Sequence, residues 1–189
     1  EPGIGKSTVL EEEYQKNLKS YNTENEELFL LKNLNNYSSD MFLVDDIFKN
    51  STYVEWLNSE KKLNLYLDSL DEGLLNLNTI CNILLNKLGS APRNRMYLKI
   101  SCRTGAWPIS LEEGLADIFK SETETNINIL ELVPLTREDI EKACDDHDIN
   151  KEDFLKKIIK KGIVPLAIKP NTLDFLIMTY KDKGTFPKT

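Results

Sequence analysis

The stretch "LNLYLDSLDE", residues 63–72, joins a run of apolar residues to a group of acids. Its first part, Leu63–Leu67, has the length and composition of a buried β-strand. Asp68 follows at once, and Asp71 and Glu72 come shortly after. Because such a strand buries its backbone, it presents the next side chain at its carboxyl end. We therefore expect Asp68 at the edge of a sheet, although all three acids also suit the start of a following helix.

Strands and helices alternate on both sides of this stretch. The other segments with strand-like apolar runs are Glu27–Leu34, Met96–Ser101 and Asn126–Leu132. The segments with helical spacing or capping residues are 6–18, 38–48, 51–60, 74–89 and 111–121. Thr52 and Glu55 are spaced as a capping box, and Gly89 is placed to cap the end of its helix. This alternation is typical of an α/β protein with a mostly parallel sheet and flanking helices.

After Pro134 the pattern changes to helices alone. Helices are expected over 137–147, 151–161 and 171–183. Thr136 and Asn150 are placed to cap the first two of them. We therefore expect an α/β core at residues 1–134, followed by a small all-helical lobe at residues 135–189.

The composition is that of an ordinary globular protein, and it argues against nucleic acid and membranes as partners. The 189 residues carry a net charge of -7, so electrostatic attraction to nucleic acid is not expected. No apolar run approaches the roughly 20 residues that span a bilayer, so no membrane contact is expected. The three cysteines are scattered without C-x-x-C spacing. That pattern is typical of reduced thiols in a cytoplasmic protein and not of a zinc site.

The chain begins with "EPGIGKST", which contains most of a phosphate-binding loop. Such loops read G-x-x-x-x-G-K-[ST] and follow a buried strand. Counted back from Gly5, the first glycine of the pattern would precede Glu1, so we expect the sequence to be an excerpt of a longer protein. In such a loop backbone N–H groups surround the phosphates and Lys6 reaches the β- and γ-phosphates. A helix start that carries these residues by chance is the alternative.

If this loop binds phosphate, the acids that follow Leu67 become candidates for Mg²⁺ binding and for water activation. A carboxylate at the end of a neighbouring strand can hold Mg²⁺ through water, which makes Asp68 and the Ser7 hydroxyl the candidate metal ligands. Asp71 and Glu72 are candidates to orient and activate an attacking water. The loop residues expected to contact a nucleotide are Gly3, Ile4, Gly5, Lys6, Ser7 and Thr8.

Two later motifs add candidate residues. Arg103 in "SCRTGAWP" follows a predicted strand, where an arginine can contact a γ-phosphate and respond to its loss. An ordinary surface arginine is the alternative. The segment "GIVPLAIKP" contains Pro165 and Pro170, either of which can pack against a nucleotide base or simply fix the start of a helix. Of the two, Pro165 is the candidate nucleotide contact.

In the order of these motifs the chain resembles the STAND class of P-loop ATPases, and within it the NACHT-like group. The extended Walker B motif of that group is an aspartate, two residues and then Asp-Glu, which Asp68, Asp71 and Glu72 match. The segments "DSLDEGL", "CRTGAWP" and "KPNTLDFL" are also similar to those of bacterial antiviral (Avs-type) STAND ATPases. The resemblance covers nearly the whole chain, but not the first loop glycine, its strand, a winged-helix region, or sensor and effector domains.

This resemblance implies an ASCE-type P-loop fold and a Mg²⁺-dependent ATPase with slow turnover. It implies a cytoplasmic switch that rests closed with ADP and self-oligomerises with ATP after another part of the protein senses a ligand, such as a phage protein. ATP rather than GTP is likewise a family expectation. Two alternatives remain open: a cycling AAA-type motor or loader that uses the same residues, and a non-catalytic interaction module whose nucleotide site has lapsed.

Overall fold

The computed structural model describes residues 3–20, 26–120 and 127–186. Within these residues the chain forms two compact units. The first, which we call the sheet unit, runs over Lys6–Leu130. The second, the helical unit, comprises residues 131–186 together with residues 3–5.

The sheet of the described residues has three strands, β1 (Glu27–Asn33), β2 (Lys62–Asp68) and β3 (Met96–Ile100). They lie in the order β1-β2-β3, and both neighbouring pairs are parallel. Leu30, Leu65 and Leu98 stand opposite one another across the sheet. The prediction of an α/β protein with a parallel sheet and flanking helices is therefore confirmed.

Five helices accompany the sheet in the described residues: α1 (Lys6–Ser20), α2 (Asp40–Phe48), α3 (Ser51–Leu57), α4 (Leu77–Gly89) and α5 (Ile109–Phe119). Successive side chains of a strand point to opposite faces of the sheet. On one face Leu63, Leu65 and Leu67 are fully buried, and they share a core with Trp56 of α3 and Leu84 of α4. This face is apolar along the whole of β2, as the apolar sequence of the strand predicts.

The other face of β2 is covered by α1. Tyr66 is 2% exposed, and the Tyr14 ring of α1 packs edge-on against it with 5.5 Å between ring centroids. The Asn17 side-chain nitrogen donates to the Tyr66 hydroxyl at 2.9 Å. Glu13 of the same helix pairs with Lys99 of β3. Polar contacts thus fix α1 across the sheet where the strand sequence offers no apolar stripe.

The helical unit consists of α6 (Arg137–Asp146), α7 (Lys151–Lys160), α8 (Val164–Ala167) and α9 (Pro170–Lys183). Both predicted caps are confirmed, because Thr136 and Asp139 form a capping box and the Asn150 side chain accepts an N–H from the first turn of α7. Phe154 is fully buried in the core of this unit. In the described part of the chain, every helix is too short or too polar to cross a bilayer.

The predicted strand at Asn126–Leu132 is wrong in its described part. Residues 127–132 form no strand, while Asn126, like the predicted helix end at Ser121, lies outside the described residues. A strand forms only where its backbone groups pair with a neighbouring strand, and the described strands pair only among themselves. Leu130 is accordingly 88% exposed, so its apolar character does not reflect burial in a sheet.

The predicted capping box at the start of α3 is also wrong. The helix begins at Ser51, and the Asn50 side chain accepts the N–H of Thr52. Thr52 therefore lies inside the first turn and cannot cap it together with Glu55. Asparagine is a strong N-cap residue, and its position one residue before Ser51 decides where the helix starts.

α4 begins later than its apolar stripe predicts. Its first residue is Leu77, because the Asn76 side chain caps it. Leu74 lies in the preceding loop and is 80% exposed. At the other end Gly89 is still helical and Ser90 is the cap, so the predicted glycine cap is wrong by one residue.

The buried face of β2 gives a direct test of the fold. Leu65→Ala is expected to lower the free energy of unfolding by about 2–5 kcal/mol, because it leaves a cavity in a fully packed core. Leu74→Ala, the same change at an exposed residue, is expected to stay within about 0.5 kcal/mol of the parent. Both tryptophans, Trp56 and Trp107, lie in the sheet unit, so urea titration followed by tryptophan fluorescence measures this unit. Equal losses in the two variants would contradict the assignment.

Candidate functional site

The segments that follow β2 and β3 lie side by side at one edge of the sheet, which we call the carboxyl edge. β2 ends at Asp68, and β3 is followed directly by Ser101. The Ser101 N–H donates to the carbonyl of Leu67 at 2.9 Å, and the Leu70 N–H donates to the carbonyl of Ser101 at 3.0 Å. The hydrogen bonding between the two strands therefore continues into the loops that carry the acids and the arginine.

α1 starts at this same edge. Asn17 and Ser20, near its end, line a cleft of about 270 Å³ with Glu27, the first residue of β1. At its beginning, Lys6 is close enough to Cys102 for its charge to act on the thiol. Burial and the charge of Asp71 raise the pKa of the Cys102 thiol to about 12, and the positive charge of Lys6 opposes that rise. The helix therefore runs antiparallel to the strands.

The Asp68 carboxylate is buried and oriented by two hydroxyl groups. Its residue is 7% exposed. The Ser101 hydroxyl donates to Oδ1, and the Ser69 hydroxyl donates to Oδ2 at 3.2 Å. Because a carboxylate oxygen accepts more than one hydrogen bond, both oxygens retain the capacity to accept from water or to bind a cation. The carboxylate is thus held in one orientation while its oxygens can still accept further hydrogen bonds.

Ser69 turns the chain in a conformation that is unusual for serine. Its φ is 59°, in the left-handed region, which costs a non-glycine residue roughly 1–2 kcal/mol. The Ser69 N–H donates to the Ser101 hydroxyl at 2.9 Å, and its carbonyl accepts the Glu72 N–H at 3.2 Å. These bonds offset the backbone strain and fix the turn that leads from Asp68 to the next two acids.

Asp71 and Arg103 form the main ion pair at the carboxyl edge. The Asp71 side chain is 3% exposed. Its Oδ1 accepts a hydrogen bond from the Arg103 backbone N–H at 3.0 Å, and its Oδ2 accepts one from Nε of Arg103. Burial by itself would raise the pKa of Asp71, but the hydrogen bonds from Arg103 and Cys102 outweigh it, and the pKa lies below its usual value. Asp71 is therefore an ionised, enclosed partner of Arg103.

Glu72 is far more exposed than Asp71 and lies farther from Arg103. Its side chain is 41% exposed, and its Oε1 lies 4.0 Å from Nε of Arg103. The Arg103 side chain is also 41% exposed. An acid and a guanidinium group thus face solvent together at the carboxyl edge, close enough to act on the same bound molecule.

The start of the chain has the backbone expected of a glycine-rich loop. Gly3 and Gly5 have φ values of 75° and 90°, which glycine adopts without strain. Ile4 between them is half-buried, and Ser7 and Thr8 are exposed in the first turn of α1. The first-turn hydroxyls are accordingly accessible, as a role in binding requires.

The two candidate prolines belong to the helical unit. Pro165 lies in the first turn of α8 and is exposed. Pro170 begins α9 and is half-buried. A Cβ added to Gly5 would lie 3.5 Å from Cγ of Pro170, so the structure brings the loop glycine to Pro170 and not to Pro165. The residues brought together at the carboxyl edge of the sheet unit are Lys6, Asp68, Asp71, Glu72 and Arg103.

The acids and hydroxyl groups at this edge offer oxygen atoms, the kind of ligand that Mg²⁺ prefers. Clusters of three or more histidine, cysteine or acidic side chains able to hold a metal do not occur among the described residues. Mg²⁺ in nucleotide sites is instead held by one or two carboxylates, phosphate oxygens and water. Asp68, buried and oriented by hydroxyl groups, is a carboxylate of that kind, and Ser7 offers an accessible hydroxyl.

Sequence analysis missed two residues of the site, Ser69 and Ser101. Ser101 was included only as the end of a predicted strand, although a hydroxyl at the tip of the strand beside Asp68 is a usable signal. Ser69 gives no such signal, because a serine with positive φ cannot be recognised from its neighbours in the sequence. A comparison of the chain with protein-family models, with curated proteins and with solved structures finds no match.

The Ser101 hydroxyl joins the Asp68 carboxylate to the Ser69 N–H, so its removal is expected to lower the stability of the protein. Ser101→Ala takes a hydrogen bond from the Asp68 carboxylate and leaves the Ser69 N–H without its acceptor. We expect the free energy of unfolding to fall by about 1–3 kcal/mol. Ser110→Ala, at an exposed position of α5, is the control and should change it by less than about 0.5 kcal/mol. Unchanged stability of Ser101→Ala would contradict this hydrogen-bond network.

Gly73 sets the position of the acid-bearing loop against the end of β1. A Cβ on Gly73 would lie 2.9 Å from the backbone carbonyl oxygen of Leu34, which cannot rotate away as a side chain can. Gly73→Ala is expected to cost about 1–3 kcal/mol of stability through overpacking. Gly105→Ala is the matched control, because a Cβ there meets nothing within 4 Å. Urea titration of both variants measures the difference, and a stable Gly73→Ala protein would show that the loop is free to move.

Proposed function

We propose that this chain is the nucleotide-binding core of a switch ATPase of the STAND, NACHT-like kind, which binds Mg-ATP at the carboxyl edge and hydrolyses it slowly. The observation that carries the proposal is the meeting of Lys6, Asp68, Glu72 and Arg103 at one edge of a parallel sheet. Ligands of open α/β sheets bind outside the carboxyl ends of the strands. The residue types gathered there are those that phosphoryl transfer requires.

The phosphates are proposed to bind at the start of α1. Backbone N–H groups of residues 3–8 face them in this proposal, and the positive end of the helix dipole favours their charge. Lys6 contacts the β- and γ-phosphates. Left-handed glycines at Gly3 and Gly5 support this role, because they let the backbone turn its N–H groups toward one point. The assignment of Pro165 to the nucleotide base remains a prediction.

Asp68 and Ser7 are the residues proposed to hold Mg²⁺. When bound, the ion supplies positive charge that neutralises the phosphate oxygens. Asp68 supports this assignment because its two hydroxyl partners orient it while its oxygens keep free lone pairs. A carboxylate that does not have to reorganise loses less free energy when it binds a cation.

Glu72 is proposed to orient the attacking water, and Arg103 to contact the terminal phosphate. Glu72 has the exposure that contact with water requires, and the Arg103 side chain beside it is exposed to the same extent. A water held by a carboxylate is placed for attack and can give up its proton to it. Loss of the terminal phosphate would release the contact with Arg103, which is how nucleotide state would be reported to the rest of the protein.

The pairing of Arg103 with Asp71 supports a role for this arginine within one subunit. The arginine is paired with Asp71 of its own chain, as suits a sensor of the nucleotide within one subunit. A ring motor instead needs an arginine that reaches a neighbouring subunit. In the proposed cycle the protein is cytoplasmic, rests with ADP, and self-oligomerises with ATP after other parts of it sense a ligand, such as a phage protein.

Nucleotide binding and hydrolysis by the 189-residue chain test the proposal. With Mg²⁺ and a fluorescent ATP analogue, Lys6→Ala is expected to weaken binding at least about tenfold, through loss of a charged hydrogen bond to phosphate. Glu72→Gln should keep the affinity and lower phosphate release by roughly 100-fold or more, as expected for loss of a general base. Removal of Mg²⁺ with a chelator should weaken binding in both the parent and Glu72→Gln.

Glu113→Gln is the matched control for the acid, because Glu113 is an exposed residue of α5. It should leave both binding and hydrolysis unchanged. Absence of ATP binding by the parent chain, with a normal unfolding transition, would rule out the proposed nucleotide site. Rapid steady turnover by the parent without any other ligand would favour the motor alternative.

A further inference from the structure

Asp71 is too enclosed to serve as the second water-activating acid. Its side chain is 3% exposed. Each of its carboxylate oxygens already accepts a hydrogen bond from Arg103, and the Cys102 thiol is a further partner. A general base must lie within hydrogen-bond reach of the water whose proton it takes. With 3% of its side chain exposed and Arg103 and Cys102 against its carboxylate, Asp71 has almost no surface at which to hold such a water.

We propose that Asp71 is a positioning residue, which holds Arg103 so that its remaining donors face the terminal phosphate, and that Glu72 is the one acid of the pair that contacts water. This inference rests on the proposed nucleotide site. It divides two neighbouring carboxylates into an enclosed one that orients an arginine and an accessible one that takes part in the reaction.

The geometry of the Asp71–Arg103 pair explains how the holding works. One carboxylate oxygen accepts a hydrogen bond from the Arg103 backbone N–H at 3.0 Å and the other accepts one from Nε, so the side chain is held at its base and at the start of the guanidinium group. Nη2 also points to the Asp71 carbonyl at 3.5 Å. A guanidinium group has five N–H donors, so several remain for phosphate, and the side chain keeps 41% exposure.

Asp71 is itself anchored through the loop that carries it. The Leu70 N–H donates to the Ser101 carbonyl, two residues before Arg103. The acid and the arginine are therefore attached to the same pair of strand ends, and their distance is fixed by backbone as well as by side chains. An arginine held in this way loses little conformational entropy when it meets a phosphate.

The ratio of ATP to ADP affinity is the readout that separates positioning from catalysis. Only ATP carries the γ-phosphate, the terminal phosphate that Arg103 is proposed to contact. A displaced Arg103 should therefore lower ATP affinity about tenfold, the value of one charged hydrogen bond, while ADP affinity stays unchanged. Asp71→Asn, Arg103→Ala and the double variant should all show this same loss, because each removes the same oriented group. Glu72→Gln should keep the parent ratio. Asp117→Asn, an exposed acid of α5, is the control.

Isothermal titration of each variant with Mg-ATP and Mg-ADP provides the measurement. An unchanged ATP to ADP ratio in a folded Asp71→Asn variant would overturn the inference, as would losses in Asp71→Asn and Arg103→Ala that add in the double variant. If Asp71→Asn does not fold, Arg103→Lys decides. A lysine ammonium lacks the planar set of donors with which a guanidinium binds a carboxylate and a phosphate at once. An ATP to ADP affinity ratio that Arg103→Lys retains would therefore overturn the inference. Failure of the parent to bind either nucleotide overturns the proposed function itself, and the inference with it.

Discussion

The parallel pairing of β2 with strands on both sides is the constraint on which the rest of the structure depends. It forces alternate residues of β2 onto opposite faces, so that Leu63, Leu65 and Leu67 build the core while Tyr66 meets α1. It also aligns the ends of β2 and β3, because parallel strands in register finish at the same edge. The acids and the arginine of the candidate site follow those two ends, and the start of α1 adds Lys6.

The hydrogen bonds of Ser101 join the ends of these strands into one rigid edge. Its hydroxyl contacts Asp68 and the Ser69 N–H, and its backbone bonds the residues on either side of them. A serine with positive φ is uncommon in a free loop. It is tolerated here because several bonds fix it, and such strain at a site fits a need to hold Asp68 in one orientation.

Sequence analysis predicted the strands and most helices of the described residues, because their apolar period and capping residues are local signals. It failed where structure depends on a distant partner. Residues 127–132 have the composition of a strand but pair with none of the three strands in the described part of the chain. The roles of Asp71 and Glu72 were likewise inseparable in the sequence, since adjacent acids look alike until their partners are known. Only the position of Arg103 distinguishes the enclosed carboxylate from the exposed one.

The chain has a net charge of -7, so the charges at the carboxyl edge decide whether a polyphosphate is attracted there. Three carboxylates, Asp68, Asp71 and Glu72, stand there with two cations, Lys6 and Arg103. Pairing with Asp71 cancels the net charge of Arg103 toward distant groups, so this arginine contributes through the direction of its hydrogen bonds and not through long-range attraction. In the proposed nucleotide complex, attraction would then come from Lys6, the helix dipole and a bound cation, while Arg103 would distinguish one phosphate position from another.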